Sequence, residues 1–224
     1  MKVIGYCSRW DLILRRCTKR TVLHLGCIGE TDRTRREKLE ALQSGLALHP
    51  HLMKVAAEVI GIDLDAESIE LAKLHLGVPG LFVGDVEHLE KISLDRTFDV
   101  ILFGDLIEHL SCPGMAFDGI RRFMSINSEL IISTPNAFSL PANIKFSLGC
   151  WREGDEHVAA YSAFTLPTAL ERNGFRLTEL FTCFDRPPQT LKRRILFSLG
   201  VPLFRMMPDR GGTLLAIARM ARSN

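Results

Sequence analysis

The 224-residue chain carries 28 Lys+Arg against 26 Asp+Glu and is 46% hydrophobic, 24% charged and 8% aromatic, an ordinary globular composition. A formal charge of +2 excludes nucleic-acid binding through overall basicity and leaves only a local patch open. No stretch reaches the ~18 uninterrupted apolar residues of a membrane span, and charges break the opening MKVIGYCSRWDLILRRCTKR too often for a signal peptide.

A soluble, cytoplasmic protein is expected. The length lies just above the one-domain range of roughly 100–200 residues, which predicts a single domain over residues 1–224. Residues 1–20 then form an N-terminal helical cap, and 186–212 form an insertion before the last strand. The six cysteines, Cys7, Cys17, Cys27, Cys112, Cys150 and Cys183, include no C-x-x-C pair. Their spacing implies neither a structural zinc site nor a disulfide framework, and a reducing compartment fits.

In chain order, short apolar, β-branched runs begin at Thr21 (TVLHLG), Val59 (VIGID), Leu81 (LFVGD), Asp99 (DVILFG) and Leu130 (LIIST). Continuous apolar strands imply burial on both faces. Helical patterns separate them: EKLEAL from Glu37, AESIELAKLHL from Ala66, and the stretch from Leu106 to Met124, where Leu106, Ile107, Leu110, Phe117, Ile120 and Met124 recur at helical intervals. This alternation predicts a parallel sheet. After Asn136 a loop-like stretch runs through Trp151 to Glu156, and a helix near Leu166 to Asn173 is closed by Gly174. The strand FRLTELFTCF follows, then Pro187, Pro188 and the basic-apolar LKRRILFSLGVPLFRMM, and last the strand TLLAIA from Thr213. The prediction is an α/β protein with a Rossmann-like, doubly wound, seven-stranded sheet, mostly parallel with an antiparallel C-terminal strand.

Such sheets bind ligands beyond the carboxyl ends of their strands, at the switch point. The first strand ends in His24-Leu25-Gly26-Cys27-Ile28-Gly29, where two glycines let the backbone approach a ligand closely. The second strand ends at Asp63, where a carboxylate can accept from both hydroxyls of a ribose. The third ends at Asp85, placed to accept from an adenine amine. A tight turn with strand-end acids capping the next helices is the plainer alternative. The turn lacks G-x-G-x-x-G, and Asp63 lies much further on than the ~20 residues of a dinucleotide fingerprint, which disfavours hydride transfer.

Together these segments, from about Thr21 to Ala218, resemble the class I S-adenosylmethionine-dependent methyltransferases. That family's first-strand motif is usually V-L-D-L-G-C-G-x-G. Here His24 replaces the acid, Ile28 replaces the middle glycine and Gly29 falls one place early. The stretch to the second strand is longer than usual, so the first helix carries an insertion with His49 and His51. The resemblance implies S-adenosylmethionine as cofactor. Gly26, Cys27, Ile28 and Gly29 would line its methionine end, Asp63 its ribose, and Asp85 with Val86 its adenine; His24, Leu64 and Gly104 complete the set.

Methyl transfer from a sulfonium needs alignment, and a hydroxyl acceptor also needs its proton removed by a base or its pKa lowered by a metal. Asp105, Glu108 and His109 form D-x-x-E-H at the start of a predicted helix, where i,i+3 and i,i+4 spacing sets Asp105 beside the other two. His157 follows in Asp155-Glu156-His157-Val158. Two carboxylates and two imidazoles can bind a divalent cation and leave positions open. Acids in a first helical turn are also favoured by the helix dipole without any metal. The order acid-x-x-Glu-His, then Ser133-Thr134-Pro135-Asn136, then a distant His resembles metal-dependent O-methyltransferases. One branch acts on the 2′-hydroxyl at the 3′ end of small RNAs, another on catechols of ubiquinone biosynthesis. The resemblance implies Asp105, Glu108, His109 and His157 as ligands of manganese, magnesium or zinc; without metal, His157 or His109 is the candidate base. The 133–136 segment also reads as a plain turn, and Tyr161 and Trp151 either frame an acceptor or pack.

The basic-apolar stretch, with Lys192, Arg193, Arg194 and Arg205 among Leu196, Phe197, Leu199, Phe204 and Met206, reads as a packing helix broken at Gly200 and Pro202. The lesser reading is a cover over the site or a peripheral membrane contact. An O-methyltransferase of a small or lipid-linked hydroxylated acceptor is expected. RNA 3′-terminal 2′-O-methylation ranks second because the charge is near neutral and no stacking cluster is evident. The rival from another class is a non-catalytic fold that binds S-adenosylmethionine or a partner.

Overall fold

The computed structural model describes residues 3–29, 34–150, 156–184 and 191–221. Eight strands form one sheet: β1 (Gly5–Ser8), β2 (Thr21–Leu25), β3 (Glu58–Asp63), β4 (Leu81–Val83), β5 (Phe98–Gly104), β6 (Met124–Pro135), β7 (Phe175–Phe184) and β8 (Thr213–Met220). Their order across the sheet is β1-β7-β8-β6-β5-β2-β3-β4. Every neighbouring pair is parallel except β8 with β6 and with β7. The α/β, doubly wound, mostly parallel sheet with an antiparallel C-terminal strand is therefore as the sequence predicts.

The count is eight rather than seven, because β1 joins the edge beside β7. Residues 1–20 are correspondingly not a purely helical cap: β1 leads directly into α1 (Arg9–Cys17). The strand is only four residues long and half-buried throughout, so neither a continuous apolar run nor a clean alternation marks it.

The helices between strands follow their local signals. Thr34 caps α2 (Arg35–Ser44) in a reciprocal box with Glu37, which satisfies two otherwise orphaned backbone donors. Asp65 caps α4 (Ala66–Leu76) by accepting from the Ser68 amide at 3.0 Å. The long stretch before β3 holds a second helix, α3 (His49–Val55), rather than an extension of the first. The predicted helix from Leu106 to Met124 divides into a 3-10 turn at Ile107–His109, α5 (Pro113–Ile120) and a second turn at Arg121–Phe123; Met124 already belongs to β6. Pro113 opens α5, where its missing N–H costs nothing.

The loop-like stretch after Asn136 contains α6 (Leu140–Ser147), capped by Ser139. Trp151, Asp155, Pro187 and Pro188 lie outside the described residues. Then come α7 (Thr165–Arg172) and α8 (Leu191–Met206), which continues through Pro202 instead of breaking there. Phe204 of α8 stacks on Tyr6 of β1, ring centres 4.9 Å apart.

Both sheet faces are buried. On one, Phe103, Phe117, Phe123 and Phe175 share a cluster with Leu130, Ile132 and Leu166. On the other, Leu12 and Ile13 of α1 and Leu52 of α3 pack on Val22, Val100, Leu102 and Ile131. At the amino end of the parallel strands, buried Glu129 of β6 meets three arginines: Arg20 at 2.7 Å, Arg219 at 2.9 Å and Arg16 at 3.5 Å. Burial pushes its carboxyl up, but the hydrogen bonds of Arg20 and Arg219 and the charges of Arg20 and Arg16 outweigh this and hold it below the usual range. A group depressed in the folded state contributes stability above its unfolded pKa and loses it as pH falls. Urea denaturation at pH 7 should therefore show Glu129→Gln destabilised by about 1–3 kcal/mol, with the gap to wild type closing below about pH 4. An equal midpoint and slope at pH 7 would contradict that role.

Candidate functional site

β2 lies between β3 and β5, and the chain leaves it toward β3 and β4 on one side and returns as β5 and β6 on the other. This is the switch point, and a cavity of about 360 Å³ opens there. Its floor is the turn after β2. The Gly26 amide donates to the Ile62 carbonyl at 2.9 Å, and Gly26 has φ +69°, a left-handed backbone that favours glycine. A Cβ there would stand 3.2 Å from Leu106. The Asp63 carboxylate accepts from the Ile28 amide at 2.9 Å and from the Asp65 amide at 3.1 Å. It thus fastens the turn to the end of β3, while burial pushes its pKa up against those bonds. Asp85 accepts from the Glu87 amide at 2.8 Å and starts the 3-10 helix Val86–Lys91.

All ten residues that the sequence assigns to the cofactor line this one cavity: His24, Gly26, Cys27, Ile28, Gly29, Asp63, Leu64, Asp85, Val86 and Gly104. Sequence reasoning missed Arg9, Trp10 and Lys38, which line it too. Lys38 is ion-paired with Asp65 at 2.8 Å. Arg9 and Trp10 come from α1, far upstream of the glycine turn, where no local motif announces them.

His24 and the extra helix α3 explain each other. His24 and His49 are both buried, their rings stack with centres 5.4 Å apart, and their Nδ1 atoms lie 3.1 Å apart. One must donate and the other accept, so the two cannot both be charged, and burial favours the neutral pair. Burial holds both imidazoles below their ordinary pKa, His49 at about 4. A neutral imidazole pair, completed by the inserted helix, stands where the resemblance expects an acid.

At the end of β5 the chain turns sharply. Asp105 has φ +51°, a left-handed conformation that Asp tolerates better than most residues. Its amide donates to the Ser133 carbonyl at 3.1 Å, and its carboxylate accepts from the Ser133 hydroxyl at 2.9 Å and pairs with Arg9. Asp105 therefore does not sit one helical turn below Glu108 and His109: the left-handed step and the 3-10 turn place it on the wall of the switch-point cavity. The other three predicted ligands do converge. One atom from each of Glu108, His109 and His157 lies within 4.8 Å of the others, and the two imidazoles meet edge to face at 4.8 Å between centres. The amides of Val158 and Ala159 hold this arrangement by donating to the Glu108 carbonyl at 2.9 and 3.2 Å.

Glu108 is 2% exposed, and neither carboxylate oxygen has a hydrogen-bond partner among the described residues; the same holds for buried His109 Nδ1. Burial, and then the charge of Asp105, push the Glu108 carboxyl up to about 8. Orphaned buried acceptors of this kind call for a proton or a cation, and two imidazoles with a carboxylate are a donor set that fits a divalent ion. His109 also walls the switch-point cavity, while Glu108 and His157 line a small cleft with Thr134, Pro135 and Asn136. Asn136 is itself structural: its side-chain amide donates to the carbonyls of Asp209 and Gly211 at 3.0 and 2.8 Å. Tyr161 is 8% exposed and belongs to the core.

A family model described as a methyltransferase domain matches residues 20–180. The chain belongs to the methyltransferase-domain family. It is similar to the ubiquinone biosynthesis O-methyltransferase of Nitrobacter winogradskyi, 28% identical over 145 residues covering 61% of this chain and 54% of that protein. The enzyme of the same name from Proteus mirabilis is 25% identical over 95 residues, 41% of this chain and 39% of that one. The chain thus spans about half the length of these relatives, or less. Among solved structures it shares its fold with a SAM-dependent methyltransferase from Archaeoglobus fulgidus (20% identity, TM-score 0.54, 94% of each chain). It also shares it with the small RNA methyltransferase HEN1 (16% identity, TM-score 0.60, 96% of this chain and 25% of that one).

The buried imidazole pair makes a pH prediction. Each ring has a depressed pKa in the fold, so stability is complete above the unfolded value of about 6.5 and falls as pH drops through it, by up to about 1.4 kcal/mol per pH unit and ring. Glu108 has the opposite sign, since a carboxyl raised in the fold loses stability as pH rises. Comparing wild type with His49→Leu cancels that contribution. Denaturation between pH 7.5 and 5 should show a smaller acid-side loss in the variant; identical slopes would mean that His49 is not buried as a neutral ring.

Proposed function

We propose that the chain is an S-adenosylmethionine-dependent O-methyltransferase acting on a small or lipid-linked hydroxylated acceptor, with a divalent cation held by Glu108, His109 and His157. The observation that carries this reading is the double placement of His109, which walls the cofactor cavity and belongs to the three-residue group at its end. A reactive centre between donor and acceptor requires such a shared boundary. The names of the similar ubiquinone biosynthesis O-methyltransferases support the hydroxyl as the methylated group.

In this reading the Asp63 carboxylate accepts from the ribose hydroxyls and Asp85 with Val86 faces the adenine. Gly26, Gly29 and Gly104 leave room for the methionine chain, and Arg9 with Asp105 offers opposite charges to its carboxylate and ammonium. The reaction is an in-line displacement in which the acceptor oxygen attacks the methyl carbon, the carbon–sulfur bond breaks and the thioether leaves. The chain's part is mainly alignment, which in favourable systems contributes roughly 7–11 kcal/mol. Glu108, His109 and His157 supply one carboxylate and two imidazoles to a divalent ion of the manganese, magnesium or zinc class and leave positions for the acceptor. When bound, such an ion lowers the pKa of a hydroxyl attached to it. Asp105, committed to Arg9 and Ser133, acts from the cofactor side.

Exposed Phe138 and Phe164 flank the bridge between Asn136 and Tyr161 and offer apolar surface to a lipid-linked acceptor. The near-balance of charge ranks RNA lower. No helix among the described residues is long and apolar enough to cross a membrane.

Titration calorimetry tests the shared premise. S-adenosylmethionine should bind wild type, and Asp63→Ala should weaken binding by at least about tenfold, the loss of roughly 1.4 kcal/mol expected for a charged hydrogen-bond acceptor. No heat at millimolar ligand would end every methyltransferase reading. For the cation, a labelled-methyl assay with a catechol-type acceptor should lose its signal on chelation and regain it with manganese. His157→Ala should lower turnover by at least about 100-fold while leaving cofactor binding intact. Turnover indifferent to chelator would return His157 to the role of general base.

A further inference from the structure

Cys7 of β1 and Cys183 of β7 face each other at the sheet edge opposite β4, away from the cavity. They are register partners in the parallel ladder, so their backbones are about 4.8 Å apart, inside the roughly 4.4–6.8 Å range of Cα separations that a disulfide spans. Their Sγ atoms are 3.5 Å apart. Cys183 is 1% exposed and Cys7 is half-buried, so one thiol can be approached from solvent while the other waits behind it.

The remaining cysteines differ. Cys17 and Cys27 are buried, and burial pushes the Cys17 thiol up to about 12 and the Cys27 thiol well above its ordinary value. Cys112 and Cys150 are exposed. The Cys7 thiol is lowered, first by its hydrogen bond with Cys183 and then, against burial, by the charge of Arg15, the setting in which a thiolate becomes reactive.

We propose that Cys7 and Cys183 form a reversible disulfide that fastens the N-terminal strand to the sheet. The Cys7 thiolate attacks one sulfur of a small-molecule disulfide such as oxidised glutathione; that bond breaks, and the departing thiolate takes up a proton. Cys183, giving up its own proton, then attacks Cys7 Sγ in the mixed disulfide and expels the second small thiol. Two protein thiols are oxidised and one small disulfide is reduced to two thiols; excess thiol reverses both steps.

The site lies at a point where the bond has consequences. β1 is a four-residue edge strand, and the Ser8 hydroxyl that follows Cys7 accepts from the Asp11 amide and caps α1. Arg9, two residues beyond Cys7, reaches Asp105 in the cavity wall. A covalent tie at Cys7 therefore secures the segment that brings Arg9 to the cofactor cavity. It also closes a loop between positions 7 and 183, long enough for a large effect on the unfolded chain.

The test is to incubate the folded full chain with a series of oxidised-to-reduced glutathione ratios, quench in acid, alkylate the remaining thiols and map tryptic peptides without reduction. The expected product joins residues 3–9 to residues 177–192, since trypsin does not cleave between Arg186 and Pro187, and is about 2 Da lighter than the two thiol peptides combined, with Cys17 and Cys27 unmodified. The oxidised protein should melt roughly 5–10 °C higher than the reduced one, and dithiothreitol should return it to the lower midpoint. Cys183→Ser should lose both the cross-link and the shift, whereas Cys112→Ser/Cys150→Ser should keep both. Cys7 persisting as its glutathione adduct, or cross-links that run only through Cys112 or Cys150, would overturn the proposal. The wild-type map alone decides it, whatever the variants do, and none of these readouts depends on cofactor binding or turnover.

Discussion

The pairing of β2 with β3 on one side and β5 on the other is the constraint on which the rest of the molecule depends. Because the chain leaves β2 in one direction and returns from the other, no connection crosses the space beyond Leu25 and Gly104. Parallel strands also place all their carboxyl ends on that one edge. The turn after β2, Asp63 after β3, Asp85 after β4, Asp105 after β5 and Ser133 near the end of β6 therefore border one volume, although more than a hundred residues separate the first from the last. Two faces of packed Phe, Leu, Ile and Val hold the strands in register, and through it these side chains at their distances.

Within that volume the backbone does as much as the side chains. Gly26 and Asp105 both adopt left-handed conformations, one at each lip of the cleft between β2 and β5. At Gly26 the consequence is close approach. At Asp105 it is direction: the carboxylate is carried toward Arg9 and Ser133. Its charge is still felt by the buried Glu108 carboxyl, which burial and then Asp105 push up. An uncompensated acid at 2% exposure is costly unless a proton or a cation offsets it, and it is the imidazoles of His109 and His157 beside it on which the proposal of a cation rests.

The sheet was legible in the sequence because its central strands are buried on both faces and so read as uninterrupted apolar runs, from TVLHLG to LIIST. The strand-end residues were legible for the same reason, since the end of each run fixed where Asp63, Asp85 and Asp105 would fall. What escaped had no periodic signal. β1 is short and half-buried; α6, with Ile144 and Phe146 exposed, carries only a weak apolar face; α8 keeps its helical course through Pro202 although proline usually breaks a helix. Spacing alone also misplaced Asp105, because i,i+3 arithmetic presumes an α-helix and the segment is a left-handed residue followed by a 3-10 turn. Arg9 was invisible for a tertiary reason: only the pairing of β1 with β7 at the sheet edge brings α1 over the cavity. The His24–His49 pair shows how two departures from a family pattern, each puzzling alone, make one packed unit in three dimensions.

The most direct test of the central claim is a crystal structure with S-adenosylhomocysteine and manganese bound, read by anomalous scattering. The account predicts the thioether ligand along Asp63 and Gly26 in the 360 Å³ cavity and a single strong anomalous peak between Glu108, His109 and His157, about 2.0–2.3 Å from their donor atoms. A peak on Asp105 with the three-residue group unliganded, or the nucleoside outside that cavity, would contradict it.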